Sequence, residues 1–198
     1  MKEFWNERYA EPEFAYGVLP NDFFKNQLDK LNPGSILLVC EGEGRNAVYA
    51  AKNGWKVEAF DSSEQAMKKA LQLAHENNVT INYQVQDALE IDYPENSFDV
   101  IAAIYAHFPD SIRTTIHRKM QRWLKPNGLI ILEAFNLDQI VNTSGGPKDI
   151  SMLYAMDRLK TDFNELLILQ NQNEEIQLNE GKFHNGKANV LRFLAKKY

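Results

Sequence analysis

The sequence predicts an α/β protein built on a doubly wound, mostly parallel β-sheet. Residues 35–41 and 98–105 are apolar runs without polar alternation, as is typical of strands buried on both faces of such a sheet. Between residues 35 and 135 strand patterns alternate with helical patterns, which indicates right-handed βαβ crossovers. Beyond residue 160 two strand patterns follow each other, which predicts a terminal hairpin with one antiparallel strand.

The individual elements follow from apolar spacing and turn residues. Residues 21–31 have helical spacing, begin with Asn21 or Asp22 as N-cap and stop before Pro33. Residues 125–128, KPNG, predict a turn. The other expected helices are residues 45–54, 63–78 (capped by Ser62 or Ser63), 111–124 and 156–163, and the other expected strands are 56–61, 81–87, 129–135, 165–178 and 188–197.

Length and composition indicate one globular domain spanning residues 1–198, with an aromatic-rich N-terminal arm at residues 1–20. The chain has one cysteine, no run of about 20 apolar residues and no secretory signal, so we expect a cytoplasmic protein without membrane contact. A net charge of −5 argues against nucleic acid as a partner. The basic residues of 113–125, Arg113 among them, are expected on the solvated face of an amphipathic helix, and His75 and His117 are also expected to be solvated.

A glycine turn follows the first predicted strand. Residues 42–47, GEGRNA, satisfy the loose dinucleotide fingerprint, and Asp61 ends the next strand about 20 residues later, where a ribose-binding acid belongs. A nucleoside cofactor is therefore expected. Glu41 and Glu43 would repel a pyrophosphate at the helix N-terminus, whereas S-adenosyl-L-methionine (SAM) has no phosphate and carries an ammonium and a sulfonium. The competing interpretation is that the glutamates point to solvent, and for Glu43 the two are nearly balanced.

Residues 37–63, LLVCEGEGRNAVYAAKNGWKVEAFDSS, resemble the first two motifs of class I SAM-dependent methyltransferases. The EGEGRN form is similar to that of small bacterial enzymes of the tellurite-resistance and thiopurine methyltransferase-like branch. The further stretches that share this resemblance are residues 4–17, 86–101, 123–135, 145–154 and 180–193. The resemblance implies a Rossmann-like seven-stranded sheet in the order 3-2-1-4-5-7-6 with strand 7 antiparallel, and a lid insertion at residues 136–160.

The predicted cofactor site lies in these motifs. Asp61 is expected to accept hydrogen bonds from the ribose, and the resemblance implies that Asp87 and the Ala88 N–H contact the adenine; a capping or turn aspartate is the alternative in each case. The full set of predicted cofactor-binding residues is Glu41, Gly42, Gly44, Arg45, Asn46, Asp61, Ser62, Asp87, Ala88 and Tyr105.

The predicted catalytic residues are His107 and Tyr16. His107 follows the fourth strand, where a histidine could accept a proton from the acceptor, although a packed histidine fits the sequence equally. Tyr16 could place its ring beside the sulfonium, with simple packing as the alternative. Phe135 and His184 are weaker candidates for the same cleft, and Cys40 is expected to be a buried, inert thiol.

These residues predict a SAM-dependent methyltransferase that acts on a small molecule, yields S-adenosyl-L-homocysteine, needs no metal, and exists as a monomer or homodimer. The resemblance suggests a soft acceptor, either a thiol or an oxyanion of selenium or tellurium. The alternatives are O- or N-methylation of a small metabolite, a non-catalytic SAM-binding protein and, disfavoured by Glu41, an NAD-dependent oxidoreductase.

Overall fold

A computed structural model describes residues 2–198; Met1, the first residue of the predicted arm, lies outside the described residues. The helices are α1 Lys2–Ala10, α2 Asp22–Leu28, α3 Arg45–Lys52, α4 Glu64–Glu76, α5 Asp110–Trp123 and α6 Met156–Asp162. The strands are β1 Ser35–Val39, β2 Lys56–Asp61, β3 Asn82–Val85, β4 Phe98–Ile104, β5 Leu124–Phe135, β6 Leu167–Asn179 and β7 Asn185–Lys196. Two 3-10 helices, Leu137–Val141 and Ile150–Met152, lie between β5 and α6.

The seven strands form one sheet in the order β3-β2-β1-β4-β5-β7-β6, as predicted. Strands β1 to β5 pair in parallel, and β7 pairs antiparallel with both β5 and β6. The parallel strands place their carboxyl ends along one edge of the sheet, and the residues that follow β1, β2 and β4 meet there. The predicted fold class is therefore confirmed.

Local capping chemistry fixes two of the predicted helix starts. The Asn21 side chain accepts a hydrogen bond from the Phe24 N–H at the start of α2, and the Ser63 Oγ accepts from the Ala66 N–H at the start of α4. The predicted KPNG turn is instead part of β5, which pairs with β4 across a register shift, and Asn127 has a φ of +65° there. That turn is an irregularity within a strand.

The expectation for α5 is partly wrong. Arg113 is 2% exposed because its guanidinium donates to the carbonyls of Ser151 and Leu153. His117 is fully buried, with Nδ1 2.8 Å from the Asp162 carboxylate of α6. Both side chains connect α5 to the segment that follows β5. Other polar residues of the helix, such as Arg118, lie on the solvated face as expected.

Apolar side chains cover both faces of the sheet. On one face α2, α3 and α4 pack against β1 and β2, and on the other α5 and α6 pack against β4, β5 and β7. Helix α1 packs on α4 through Tyr9 and Ala66, so that it lies beside the carboxyl ends of the strands. None of the helices in the described part of the chain has both the length and the apolar character needed to cross a bilayer.

Candidate functional site

A cleft of about 890 Å³ lies at the carboxyl ends of the parallel strands. Three segments close over it: the arm segment (residues 2–20), the glycine loop (residues 142–149) and the hairpin turn between β6 and β7 (residues 180–185). A volume near 900 Å³ is at the upper end of the range for ligand sites, so the cleft has room for a nucleoside and a second small molecule.

The floor of the cleft begins at the turn between β1 and α3. Gly42 has a φ of +63°, and a Cβ at this position would lie 2.8 Å from the Tyr9 hydroxyl, so the turn requires glycine. Glu41 Oε1 accepts a hydrogen bond of 2.7 Å from the Ala47 N–H at the N-terminus of α3. Burial raises the pKa of Glu41 to about 7, with this hydrogen bond opposing the shift. A carboxylate therefore occupies the helix terminus on which a pyrophosphate would rest.

Asp61 and Asp87 lie along the same wall, together with Ser62 and Ala88. Asp61 accepts hydrogen bonds from the N–H groups of Gly42 and Ser63, and burial raises its pKa to about 6. Asp87 is exposed to the cleft and accepts from the Leu89 N–H. Each carboxylate keeps unused acceptor capacity, as ribose and adenine donors would require.

Cys40 lines the same wall one residue beyond the end of β1. Burial raises the pKa of its thiol well above the usual value, which keeps it protonated and unreactive at neutral pH.

Gly44, a predicted cofactor-binding residue, is not among the residues that line the cleft. It precedes α3 with a φ of +87°, and a Cβ there would lie 2.6 Å from the Ala70 Cβ and 2.8 Å from the Ala70 Cα. The glycine allows α3 and α4 to approach closely, so a larger residue at this position meets α4 and not a cofactor.

Three polar side chains of the turn bind protein segments beside or over the cleft. Glu43 is 5% exposed and accepts from the Ala15 N–H and Lys69, so it points neither to solvent nor to an open anion site. Arg45 donates to the Tyr16 carbonyl and to Glu180, and Asn46 accepts from the Asn21 N–H. Arg45 and Asn46 still line the cleft, but the side chain of Arg45 already holds the arm segment and the hairpin turn, and that of Asn46 holds the loop before α2.

His107 lines the cleft with both ring nitrogens hydrogen-bonded. Nδ1 lies 2.8 Å from the Met152 carbonyl, and the Phe135 N–H donates to Nε2 at 3.3 Å. Burial lowers the pKa of His107 to about 4, with the bond to Met152 opposing the shift. A neutral ring whose lone pair is already used is a poor proton acceptor, so the geometry favours the packed-histidine interpretation over the predicted base.

A cluster of aromatic rings also lines the cleft. Tyr105, with a φ of +54°, stacks on Phe135 at 4.7 Å and meets His184 edge-on at 4.6 Å. Tyr16 lies 4.4 Å from His184, and its hydroxyl accepts from Arg8. Two predicted site residues, Tyr16 and Tyr105, thus meet the two weaker candidates, Phe135 and His184, in one aromatic cluster of the cleft wall.

Glu180 is the site residue that sequence reasoning missed. Its carboxylate accepts from Arg45 at 3.0 Å and lies 3.1 Å from His184 Nδ1. A glutamate four residues before a histidine in a predicted hairpin turn was the available signal. The spacing alone does not predict a site, because the contact between Glu180 and Arg45 forms only when the hairpin folds back onto the glycine turn.

The sheet order is that of the class I SAM-dependent methyltransferase fold. In the cleft, the Glu41 carboxylate at the helix terminus disfavours a phosphate, and Asp61 and Asp87 lie along the wall, where donors of a nucleoside could reach them. A family model described as a methyltransferase domain matches residues 36–128, from β1 into β5. This match and the fold imply SAM as the cofactor.

The comparisons with individual proteins agree with this class. The chain is 31% identical over 113 residues to 2-methyl-6-phytyl-1,4-hydroquinone methyltransferase of Synechocystis sp., which covers 55% of this chain and 35% of that enzyme. TehB from Haemophilus influenzae superposes over 100% of this chain and 67% of its own, with a TM-score of 0.75 and 17% identity. A protein solved in work on the conversion of a disulfide bond into a thioacetal group during echinomycin biosynthesis superposes over 100% of this chain and 92% of its own, with a TM-score of 0.81 and 15% identity. The chain spans about a third or less of the length of the first curated relatives that it matches.

Proposed function

We propose that this protein transfers a methyl group from SAM to a small soft nucleophile, either a thiol or an oxyanion of selenium or tellurium. The observation that carries the cofactor assignment is the Glu41 carboxylate on the N-terminus of α3. It disfavours NAD, because a pyrophosphate would lie against a buried carboxylate, whereas the ammonium of SAM would be attracted to it.

Bound SAM supplies a methyl group on a positively charged sulfur, which is already activated for displacement. The chain's own residues align and enclose the reactants. Asp61, Ser62, Asp87 and Ala88 are proposed to hold the nucleoside, and the rings of Tyr16 and Tyr105 to lie beside the sulfonium, where aromatic faces favour positive charge. Three covering segments exclude water from the acceptor.

His184 is the proposed proton acceptor, in place of His107. Its Nδ1 contacts Glu180, and Nε2 has no hydrogen-bond partner among residues 2–198. A Cβ built on Gly145 would lie 3.2 Å from Nε2, so this nitrogen faces the glycine loop that covers the cleft. A thiol acceptor would give its proton to Nε2 while its sulfur forms the new bond to carbon and the bonding electron pair returns to the cofactor sulfur.

Hydroxyl and amine acceptors are the second candidate class, and the free Nε2 of His184 is the observation that favours them. Such acceptors depend on a base far more than a thiol does, because so little of a hydroxyl is ionised at neutral pH. The likeness to TehB and to the echinomycin-pathway protein directs the first trials toward tellurite, selenite and thiols.

Calorimetric titration with SAM, S-adenosylhomocysteine and NAD tests the cofactor. Mass spectrometry of S-adenosylhomocysteine formed with small thiols, selenite, tellurite, catechols and primary amines tests the acceptor. We expect SAM to bind and NAD not to bind, and turnover with a thiol, selenite or tellurite. Tight NAD binding would overturn the proposal, and turnover restricted to catechols or amines would replace the soft acceptor by the second class.

The role of His184 has a matched control on α4. His184→Gln should lower turnover of a thiol acceptor by about 100-fold, the usual contribution of a general base, with SAM affinity retained. His75→Gln changes an exposed histidine far from the cleft and should leave turnover unchanged. Equal turnover in the two variants would remove His184 from the mechanism.

A further inference from the structure

A buried ionic cluster links the glycine turn to the hairpin turn. Glu180 Oε2 lies 3.0 Å from the Arg45 guanidinium and 3.1 Å from His184 Nδ1, and Asn21 Nδ2 donates to Oε1 at 3.3 Å. The side chains of Arg45 and His184 are 9% and 6% exposed. One carboxylate therefore joins α3, the loop before α2 and the only histidine of the cleft with an unbonded ring nitrogen within residues 2–198.

The charge state of Glu180 determines which nitrogen of His184 carries the proton. Burial alone would raise the pKa of Glu180, but the hydrogen bond from His184 and the charge of Arg45 lower it to about 2. An ionised carboxylate can only accept hydrogen bonds, so Nδ1 must be the protonated nitrogen. Burial lowers the pKa of His184, with Glu180 opposing, and the ring is neutral in neutral solution.

We propose that Glu180 is the positioning residue of the transfer reaction: it accepts a hydrogen bond from Nδ1 of His184 and thereby keeps a lone pair on Nε2, the nitrogen that faces the glycine loop over the cleft. Arg45 holds the Glu180 carboxylate in place from the cofactor turn. This assignment rests on the proposed function of His184, and it gives Arg45 a task distinct from direct cofactor binding.

The surroundings of His184 contain groups of both signs. Arg45 and Arg8 oppose protonation of the ring, Glu180 favours it, and two titratable rings, those of Tyr16 and Tyr105, pack against it. The charged and titratable groups that face His184 are Glu180, Arg45, Arg8, Tyr16, Tyr105 and His107. Among these only Glu180 makes a hydrogen bond to the imidazole within the described residues, so its charge has the most direct effect on the tautomer.

Nitrogen-15 NMR of the histidine-labelled full chain, recorded from pH 5 to 9 without cofactor or acceptor, tests the assignment. In the wild-type protein we expect His184 to show a protonated Nδ1 and a proton-free Nε2 at neutral pH. Glu180→Gln keeps the shape and removes the charge, so the population protonated on Nε2 should rise several-fold and the titration midpoint should fall. Glu175→Gln is the control, since Glu175 is an exposed residue of β6 paired with Lys187.

Turnover, measured with the thiol or oxyanion that gives the highest rate, supplies a second readout. Relative to Glu175→Gln, Glu180→Gln should lower kcat about 10-fold or more, leave the KM for SAM unchanged, and move the acid limb of the pH profile to lower pH. Glu180→Asp should recover part of the loss, because it restores the charge.

A proton on Nε2 in the wild-type protein would overturn the assignment without any variant, as would an unchanged His184 spectrum in Glu180→Gln. Equal kcat values in Glu180→Gln and Glu175→Gln would also overturn it. Failure of the proposed function has a different signature, namely absence of methyl transfer from wild-type protein to every acceptor, whatever the tautomer of His184.

Discussion

Glu41 is a single carboxylate whose charge depends on what lies beside it. In the free protein burial holds its pKa at about 7, so that it is partly protonated in neutral solution. A neighbouring ammonium or sulfonium favours the ionised form and lowers that pKa. By linkage, a cationic ligand must then bind more tightly as the pH rises through 7, because less energy is spent on removing the proton.

This linkage gives a prediction for the cofactor. The affinity of the wild-type protein for SAM should rise about 3- to 4-fold between pH 6.5 and 8, with release of a fraction of a proton on binding. Calorimetry in buffers of different ionisation enthalpy measures both quantities. Glu41→Gln should bind SAM more weakly at pH 8 and lose most of the pH dependence. A wild-type affinity that does not change across this range would contradict the account.

Single-residue predictions succeeded where the chemistry was local. Asn21 and Ser63 are caps because their side chains reach N–H groups three residues ahead. Our proposal places His184 ahead of His107, opposite to the order the sequence suggested, because the two rings differ in partners that are distant in sequence. His107 meets Met152 and the Phe135 N–H, while His184 meets Glu180, and no spacing rule reveals that the first ring has no free nitrogen.

At the scale of elements, α3 and α4 lie close together because Gly44 has no side chain. Gly44→Ala should destabilise the protein by about 2 to 4 kcal/mol, since the new Cβ meets the Ala70 backbone in addition to the cost of a positive φ. Gly54→Ala is the matched control: its φ is +83°, but the nearest atoms to a new Cβ are 3.8 Å away, so only about 1 kcal/mol is expected.

Urea unfolding of both variants measures the difference, which isolates the helix contact from the backbone strain. Equal losses of unfolding free energy in Gly44→Ala and Gly54→Ala would mean that α3 can move away from α4 without a cost in stability. SAM binding should survive in whatever fraction of Gly44→Ala remains folded, because the residue does not line the cleft.

The elements themselves were predictable because strand burial and helix amphipathicity leave a periodic pattern. Helix α5 shows the limit. Arg113 and His117 have the polar character of a solvated face, yet both are buried because carbonyls of residues 151 and 153 and the Asp162 carboxylate reach them. A sequence pattern therefore assigns a polar residue to the surface, because its distant hydrogen-bond partner cannot be identified from the pattern.

At the scale of the whole molecule, the arm segment is held over the cleft by the glycine turn. Glu43 accepts the Ala15 N–H at 2.8 Å, and Arg45 donates to the Tyr16 carbonyl at 3.2 Å. The turn that forms the floor of the cleft therefore also holds the arm segment over it, and the two glutamates of EGEG make different contacts. Glu41 faces the ligand site, and Glu43 faces the arm segment.

Removing the hydrogen bond between Glu43 and the Ala15 N–H should loosen the arm segment. In Glu43→Ala the Ala15 amide should exchange its hydrogen about 10-fold faster or more, and SAM should bind more weakly, because the arm segment no longer has its main anchor. Glu13→Ala is the control, since the Glu13 side chain is exposed and only its carbonyl contacts Lys69. Hydrogen exchange read by NMR measures both variants; unchanged Ala15 exchange in Glu43→Ala would show that other contacts suffice.

Strand β7 follows the other six strands in sequence, yet it lies inside the sheet, between β5 and β6. During synthesis the parallel strands and the glycine turn can therefore assemble first, while the edge of β5 remains unpaired until residues 185–196 have been made. A nascent chain truncated before residue 180 would possess the floor of the proposed nucleoside site and lack Glu180, His184 and the partner strand for β5. The exposed β5 edge would make such a fragment prone to aggregation. The fragment would also lack the residues proposed for catalysis, so activity would require the complete sheet.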